Sequence, residues 1–201
     1  MSDTFYFLEK LSIIDVVQSW ALYRDTGDWD GLRSTVHPDA HMTATWFDGS
    51  FEEFITSVQA SWRKGSKSQH FLGGSVAQIK ANKAIAQTRM AIMVRGSIDN
   101  QVVDITCTGR FYDRVEKRDG KWKILKRNVI YEKDRMDLLD PSARLTLDPS
   151  RLQQFPEGYQ HLAYLQSSQG AQVSPHLATA SGPALEALIS QAQAWLNEPQ
   201  P

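Results

Sequence analysis

The chain has 201 residues, 41% apolar and 22% charged, a composition that fits one globular domain with a sizeable core, alone or with an appendage. Its net charge of −1 leaves no basic footprint for nucleic acid or for an anionic membrane. The single cysteine, Cys107, excludes an intrachain disulfide and fits a reducing compartment; with neither a secretory leader in MSDTFYFLEK nor a run of about 18 apolar residues, the expected location is the cytoplasm.

Residues 8–25, LEKLSIIDVVQSWALYRD, carry Ile13, Ile14, Val17, Trp20 and Ala21 at helical spacing. Gly27 is a stop signal, and Asp28 is placed to cap a second short helix, DWDGLRSTV. STVHPDAH (34–41) reads as a turn around Pro38, and HMTATWF as a strand. SFEEFITSVQASW reads as a helix with Ser50 as cap and Glu53 completing a capping box.

From residue 70 the period changes to two. Segments 70–80, 84–98, 101–117 and 121–135 alternate and are rich in Val, Ile, Thr and aromatics. Short turn signals separate them, and KRDGKW predicts a hairpin. Helices followed by a run of antiparallel strands predict an α+β domain over 1–140. A long, curved sheet wrapped against helices leaves a concave pocket. Residues 141–201 are rich in Pro, Gln and Ala. They read as a C-terminal extension packed on that domain or on a neighbouring subunit. ALEALISQAQAWL forms its terminal helix, and the aromatics of FPEGYQHLAYLQ suggest docking.

Asp25 is four residues beyond Ala21 and eleven beyond Ile14. At about 100° per residue it lies within roughly 40° of both, so the carboxylate continues the apolar stripe. A charge there is costly unless paired, and the nearby helix C-terminus disfavours it further. Two readings follow: a partner such as histidine meets it, or it bends outward at a frayed end and hydrates. His70, heading the run QHFLGGS, has the matching pair of readings, a base aimed into a pocket or a polar strand end. In the last strand Arg127 stands between Leu125 and Val129, either facing a substrate oxygen or snorkelling to a sheet edge.

The ordered set of Tyr23, Asp25, Asp28, Trp29 and Asp30, then HPDA (37–40), the His70 strand, and FYDR, RDGKWKI and KRN within 111–128 resembles the SnoaL-like branch of the nuclear transport factor 2-like superfamily. The resemblance spans about residues 8–135. It implies a cone-shaped α+β barrel, N-terminal helices packed on a curved, mainly antiparallel sheet enclosing an apolar pocket, in trimers or dimers. The elimination enzymes of that branch (scytalone dehydratase, bile acid 7α-dehydratase, hexachlorocyclohexane dehydrochlorinase) use a His–Asp dyad. The resemblance therefore implies a dyad of Asp25 and His70, and a pocket role for Arg127. Two features depart from the branch. DITCTGRF offers no second pocket histidine, and a water-positioning tyrosine pair is not clearly reproduced, leaving Tyr23 and Tyr112 as the available tyrosines.

The expected chemistry is β-elimination from a small cyclic or aromatic hydroxylated substrate. His70 takes the proton from carbon, and Asp25 holds the ring in one tautomer. Tyr23, Trp46, Tyr112 and Arg127 are the candidate substrate-binding residues. No metal or organic cofactor is needed. Pro38 breaks the helix that a zinc site at HPDAH requires, and RKGSKS lacks the first glycine and strand context of a phosphate loop. Cys107 reads as a small core residue, Asp28 as a cap, and His161 and His176 as packing or surface groups. A non-catalytic pocket protein and a polyketide-type cyclase or isomerase are the competing functions.

Overall fold

The first helix, α1 (Asp3–Thr26), buries Ile13, Val17, Trp20 and Ala21 of the apolar stripe read from sequence and leaves Ile14 half-buried. It belongs to a computed structural model that describes residues 3–199; the outer ends of the two expected segments, residues 1–2 and 200–201, lie outside the described residues. The second helix, α2 (Trp29–Ser34), is capped by Asp28, whose side chain accepts from the Gly31 amide at 2.8 Å. Before α3 (Phe51–Arg63), Ser50 and Glu53 form the reciprocal capping box, a device that stabilises a helix start by about 1 kcal/mol.

β1 (Val36–Ala44) corrects the expected turn at Pro38: the chain stays extended through the proline. Proline cannot donate to a ladder, and β1 shifts register against its neighbour between Val36 and His41, so Pro38 falls where the pairing is interrupted. The expected HMTATWF strand breaks at Thr45 and Trp46, and Phe47 opens β2 (Phe47–Ser50). The alternating segments form β3 (Ser68–Lys80), β4 (Lys83–Ile98), β5 (Gln101–Arg118) and β6 (Lys121–Leu138). Asp99-Asn100 and Asp119-Gly120 hold positive φ at both turn positions, the twist that two-residue hairpins need.

The strand order is β2-β1-β6-β5-β4-β3, with β1 parallel to β6 and every other pair antiparallel. The sheet curves without closing, and the whole is an α+β cone. Its main core joins α1 and α3 to one face through Trp20, Phe54, Ile105, Phe111 and Ile124. On β5 the alternation sends Phe111 into that core and Tyr112 to the opposite face.

The chain after β6 returns to both faces. It forms α4 (Pro149–Leu152), α5 (Gln160–Ser168) and α6 (Pro183–Asn197). α5 sinks Leu162, Ala163 and Leu165 into the main core. Its approach depends on Gly158, where a Cβ would stand 2.5 Å from the Tyr131 carbonyl oxygen. α6 covers Ile85, Tyr112 and Ile130 on the other face with Leu185, Ala192 and Leu196. Among the described residues no helix is long and apolar enough to cross a membrane.

Candidate active site

Asp25, at the end of α1, reaches His70, near the start of β3. Its Oδ1 lies 2.8 Å from the ring Nδ1, and its Oδ2 accepts the His70 backbone amide at 2.5 Å. The hydrated-terminus reading of Asp25 therefore fails: the two side chains are only 14% and 5% exposed. Helical spacing turned Asp25 toward β3, and the backbone bond fixes the carboxylate together with the ring. The Arg24 guanidinium touches the same Oδ1 at 3.4 Å.

The His70 ring sits edge-on to Trp20 and tilted against Phe111, with centroids 5.6 and 5.9 Å apart. Burial pushes the imidazole below its ordinary pKa. Asp25 opposes that shift, while the charges of Arg24 and Arg127 reinforce it. A neutral ring with Nδ1 bonded to a carboxylate carries its proton on Nδ1 and presents Nε2 as a lone pair. Nε2 makes no hydrogen bond to the described residues, and His70 lines a cavity.

That inner chamber has about 40 Å³ of free volume, room for roughly three waters. Its wall is largely apolar, from Trp20, Trp46, Phe54, Met90, Ile92 and Phe111. Polar groups join them: Arg24, Thr45, Tyr131 and Gln166. The Tyr131 hydroxyl accepts from the Thr45 amide at 3.2 Å, and burial holds the phenol well above its ordinary pKa, so it stays protonated. Two polar atoms of the lining are buried without a partner among the described residues, Trp20 Nε1 and Gln166 Oε1.

An outer chamber of about 500 Å³ adjoins it. Arg24, Trp46, Ile92 and Gln166 line both, so these four stand at the boundary between them, the neck of the site. α5, from the segment after β6, supplies Leu162 to the inner wall and Leu165 and Gln166 to the outer, with Gln169 at its C-terminal cap.

Of the substrate-binding residues expected from sequence, Trp46 lines both chambers. Tyr23, Tyr112 and Arg127 line neither. Tyr112 lies under α6 on the far face, because β5 alternates and Phe111 already takes the inner position. Tyr23 packs beside Gly31, toward α2. Arg127 neither snorkels nor reaches the cavity. It is fully buried and forms a two-pronged bond to Asp113, Nε to Oδ1 and Nη2 to Oδ2, both at 2.7 Å. Its guanidinium lies 4.1 and 4.0 Å from the ring centres of Trp20 and Phe111, the two aromatics that flank His70. Sequence reading passed over Arg24, Tyr131 and Gln166. Arg24 and Tyr131 were signalled only by adjacency to Asp25 and by strand alternation; Gln166 had no local signal.

The other expected exclusions are placed as follows. His37 bonds the Glu116 carbonyl oxygen at 2.9 Å and His41 bonds Asp48 at 2.9 Å, so the two histidines of HPDAH diverge. Among the described residues no three His, Cys, Asp or Glu side chains converge to hold a metal ion. Cys107 is buried, with its thiol pushed far up by desolvation and its Sγ against the Gly158 carbonyl oxygen at 3.4 Å.

A sequence model of the SnoaL-like domain matches residues 7–128. The chain belongs to the SnoaL-like family. A PEP2-like protein of Fusarium vanettenii is 30% identical over 204 residues, covering 96% of this SnoaL-like chain and 88% of that one, so the match takes in most of the segment after Asp140. Among solved structures, a scytalone dehydratase-like protein of Novosphingobium aromaticivorans superposes with TM-score 0.57 at 16% identity, over 73% of this chain and 100% of that one. A hexachlorocyclohexane dehydrochlorinase, LinA, superposes with TM-score 0.56 at 19% identity, over 74% and 98%. At these identities the likeness is one of fold. Both structures are spanned nearly whole by three quarters of this chain.

Proposed function

We propose that this SnoaL-like protein is a cofactor-independent lyase that eliminates a β leaving group, such as water, from a small cyclic or aromatic hydroxylated compound. One observation carries the reading: His70 is bonded through Nδ1 to Asp25 at 2.8 Å while its other nitrogen is unpaired at the wall of an apolar chamber. In this mechanism Nε2 takes a proton from the carbon next to a carbonyl or aromatic ring. The C–H electrons become the new double bond, and the C–O bond breaks. The imidazolium, stabilised by Asp25, then returns the proton to the departing hydroxide as water, and neutral His70 is restored. General-base catalysis contributes about 10²–10⁴-fold, and the apolar wall, Trp46 and the protonated Tyr131 hydroxyl supply positioning.

Arg127 acts at one remove in this reading. It pins Trp20 and Phe111 around the imidazole, and its charge helps keep the ring neutral. The inner chamber holds the reacting carbon and leaving group, and the rest of the substrate passes through the neck. Residues 1–140 form the catalytic domain, and 141–201 an extension that closes one wall through α5. The reading includes a homo-oligomer, supported by the exposed Phe71 and Met93 on neighbouring outer strands, and a cytoplasmic location, supported by the lone cysteine.

The test is incubation of the full chain in D₂O with a panel of cyclic β-hydroxy ketones and hydroxylated aromatics, read by mass spectrometry. Loss of water that disappears in both His70→Ala and Asp25→Asn is the expected result. Turnover that persists in His70→Ala defeats the reading. A product that keeps all the substrate's heavy atoms, with or without deuterium gained at carbon, instead assigns the base to ring closure or isomerisation.

A further inference from the structure

We propose that the neck between the two chambers is an anion-recognition site, with Arg24 and Gln166 binding an acidic oxygen group, a carboxylate or a phosphate, carried by the substrate. The proposal rests on the lyase reading for what lies in the inner chamber, and extends it by naming the charge of the part that lies outside.

Four observations point there. The Arg24 side chain is only 13% exposed and lines both chambers, and its single polar contact among the described residues is the 3.4 Å approach to Asp25 Oδ1, long for a charge-assisted bond. Burial lowers its pKa, the mark of a cation short of compensation, although arginine keeps its charge at any ordinary pH. The Gln166 amide, on α5 and lining the same two chambers, has its Oε1 buried with no partner among the described residues. A 180° rotation of that amide exchanges oxygen for nitrogen, so the same group can donate to an anion beside the guanidinium. The outer chamber adds Lys64 and Arg95, and among the described residues no Asp or Glu lines either chamber. Asp104 holds Arg95 from the side.

The arrangement suits a carboxylate better than a neutral polar group. A planar guanidinium matches two oxygens, and a desolvated cation gains most from a full negative charge. The anion also has a use. A negative group seated on Arg24 draws that cation from Asp25, leaving the carboxylate freer to support the imidazolium. Substrate binding and base strength are thereby linked at one residue.

The experiment measures binding by calorimetry at low salt, using phenylacetate against its neutral isostere phenylacetamide, with phenyl phosphate as a third probe. It uses the full chain carrying His70→Ala, so that the result does not depend on turnover or on the role of the dyad. The expected result is that phenylacetate binds at least about tenfold more tightly than phenylacetamide and that added salt narrows the gap. Arg24→Gln removes the preference, Arg24→Lys retains part of it, and Gln166→Leu weakens the acid alone. Phenyl phosphate binding more tightly than phenylacetate assigns the site to phosphates; the reverse assigns it to carboxylates. Equal affinity for acid and amide, no saturable binding of either acid, or a preference that survives Arg24→Gln overturns the proposal. Because folding of the variants is read separately by circular dichroism, and the salt effect is read with the native neck, a misfolded Arg24→Gln leaves the decision intact. A failed dyad shows up in the D₂O assay and not here.

Discussion

Two carboxylates in this molecule grip a histidine in the same way. Asp25 accepts the His70 amide and bonds its Nδ1; Asp134 accepts the His161 amide at 2.7 Å and bonds its Nδ1 at 2.8 Å. The surroundings differ. Asp134 also takes the Leu162 amide at 2.9 Å, so it caps the first turn of α5, whose own N-terminal residue Tyr159 offers no side-chain cap. The His161 side chain is 23% exposed against 5% for His70, and it lines neither chamber. A His–Asp pair is thus an economical way to end a helix or to anchor a strand. It becomes a candidate base only where the second ring nitrogen meets an enclosed space.

Exchanging the two histidines for alanine gives the largest contrast. His70→Ala lowers kcat/KM by about 10²–10⁴-fold, a barrier increase of about 2.7–5.4 kcal/mol, while His161→Ala stays within about threefold. Steady-state rates of water release measure both, and equal losses would erase the distinction. Asp25→Asn cuts turnover nearly as far. The asparagine oxygen keeps the His70 amide, but its NH₂ then donates to Nδ1 and drives the ring proton to Nε2, where the base must be bare. An NMR measurement of the imidazole tautomer checks this step directly.

Asp134→Ala acts on stability instead. Two backbone amides lose their acceptor, which costs about 1–3 kcal/mol in a denaturant titration. Turnover per folded molecule stays within about threefold, an expectation tied to general-acid–base groups being confined to the chamber. The smallest effect is in pH. Burial depresses the folded His70 pKa, so the unfolded chain binds its proton first as pH falls. This contribution to stability is full above about 6.5, the unfolded value, and is lost as pH drops toward the folded pKa. kcat/KM should follow an acid limb with its midpoint below about 6.5, and His70→Ala should flatten the matching stability slope.

Much of the frame was legible in the residues. The four long strands followed from alternation and from Asp-Asn and Asp-Gly turns, although β3 starts before residue 70 and β6 runs beyond 135; α3 followed from its capping box. Asp25's place on the apolar stripe was legible because one helix carries both, while periodicity alone left open whether it met a partner or water. Pro38 misled, since a proline also fits an extended chain wherever the ladder is interrupted.

What local sequence determined is therefore whatever one element settles alone: the order of helices and strands, and the inward side of α1. Which face of β5 and β6 looks at the chamber, that Arg127 would be spent on Asp113, and that α5 would return to line the same chambers as Arg24 depended on contacts between segments far apart in the chain. Such contacts are selected by the joint burial of many side chains. No single stretch carries that information, and only the packed molecule expresses it.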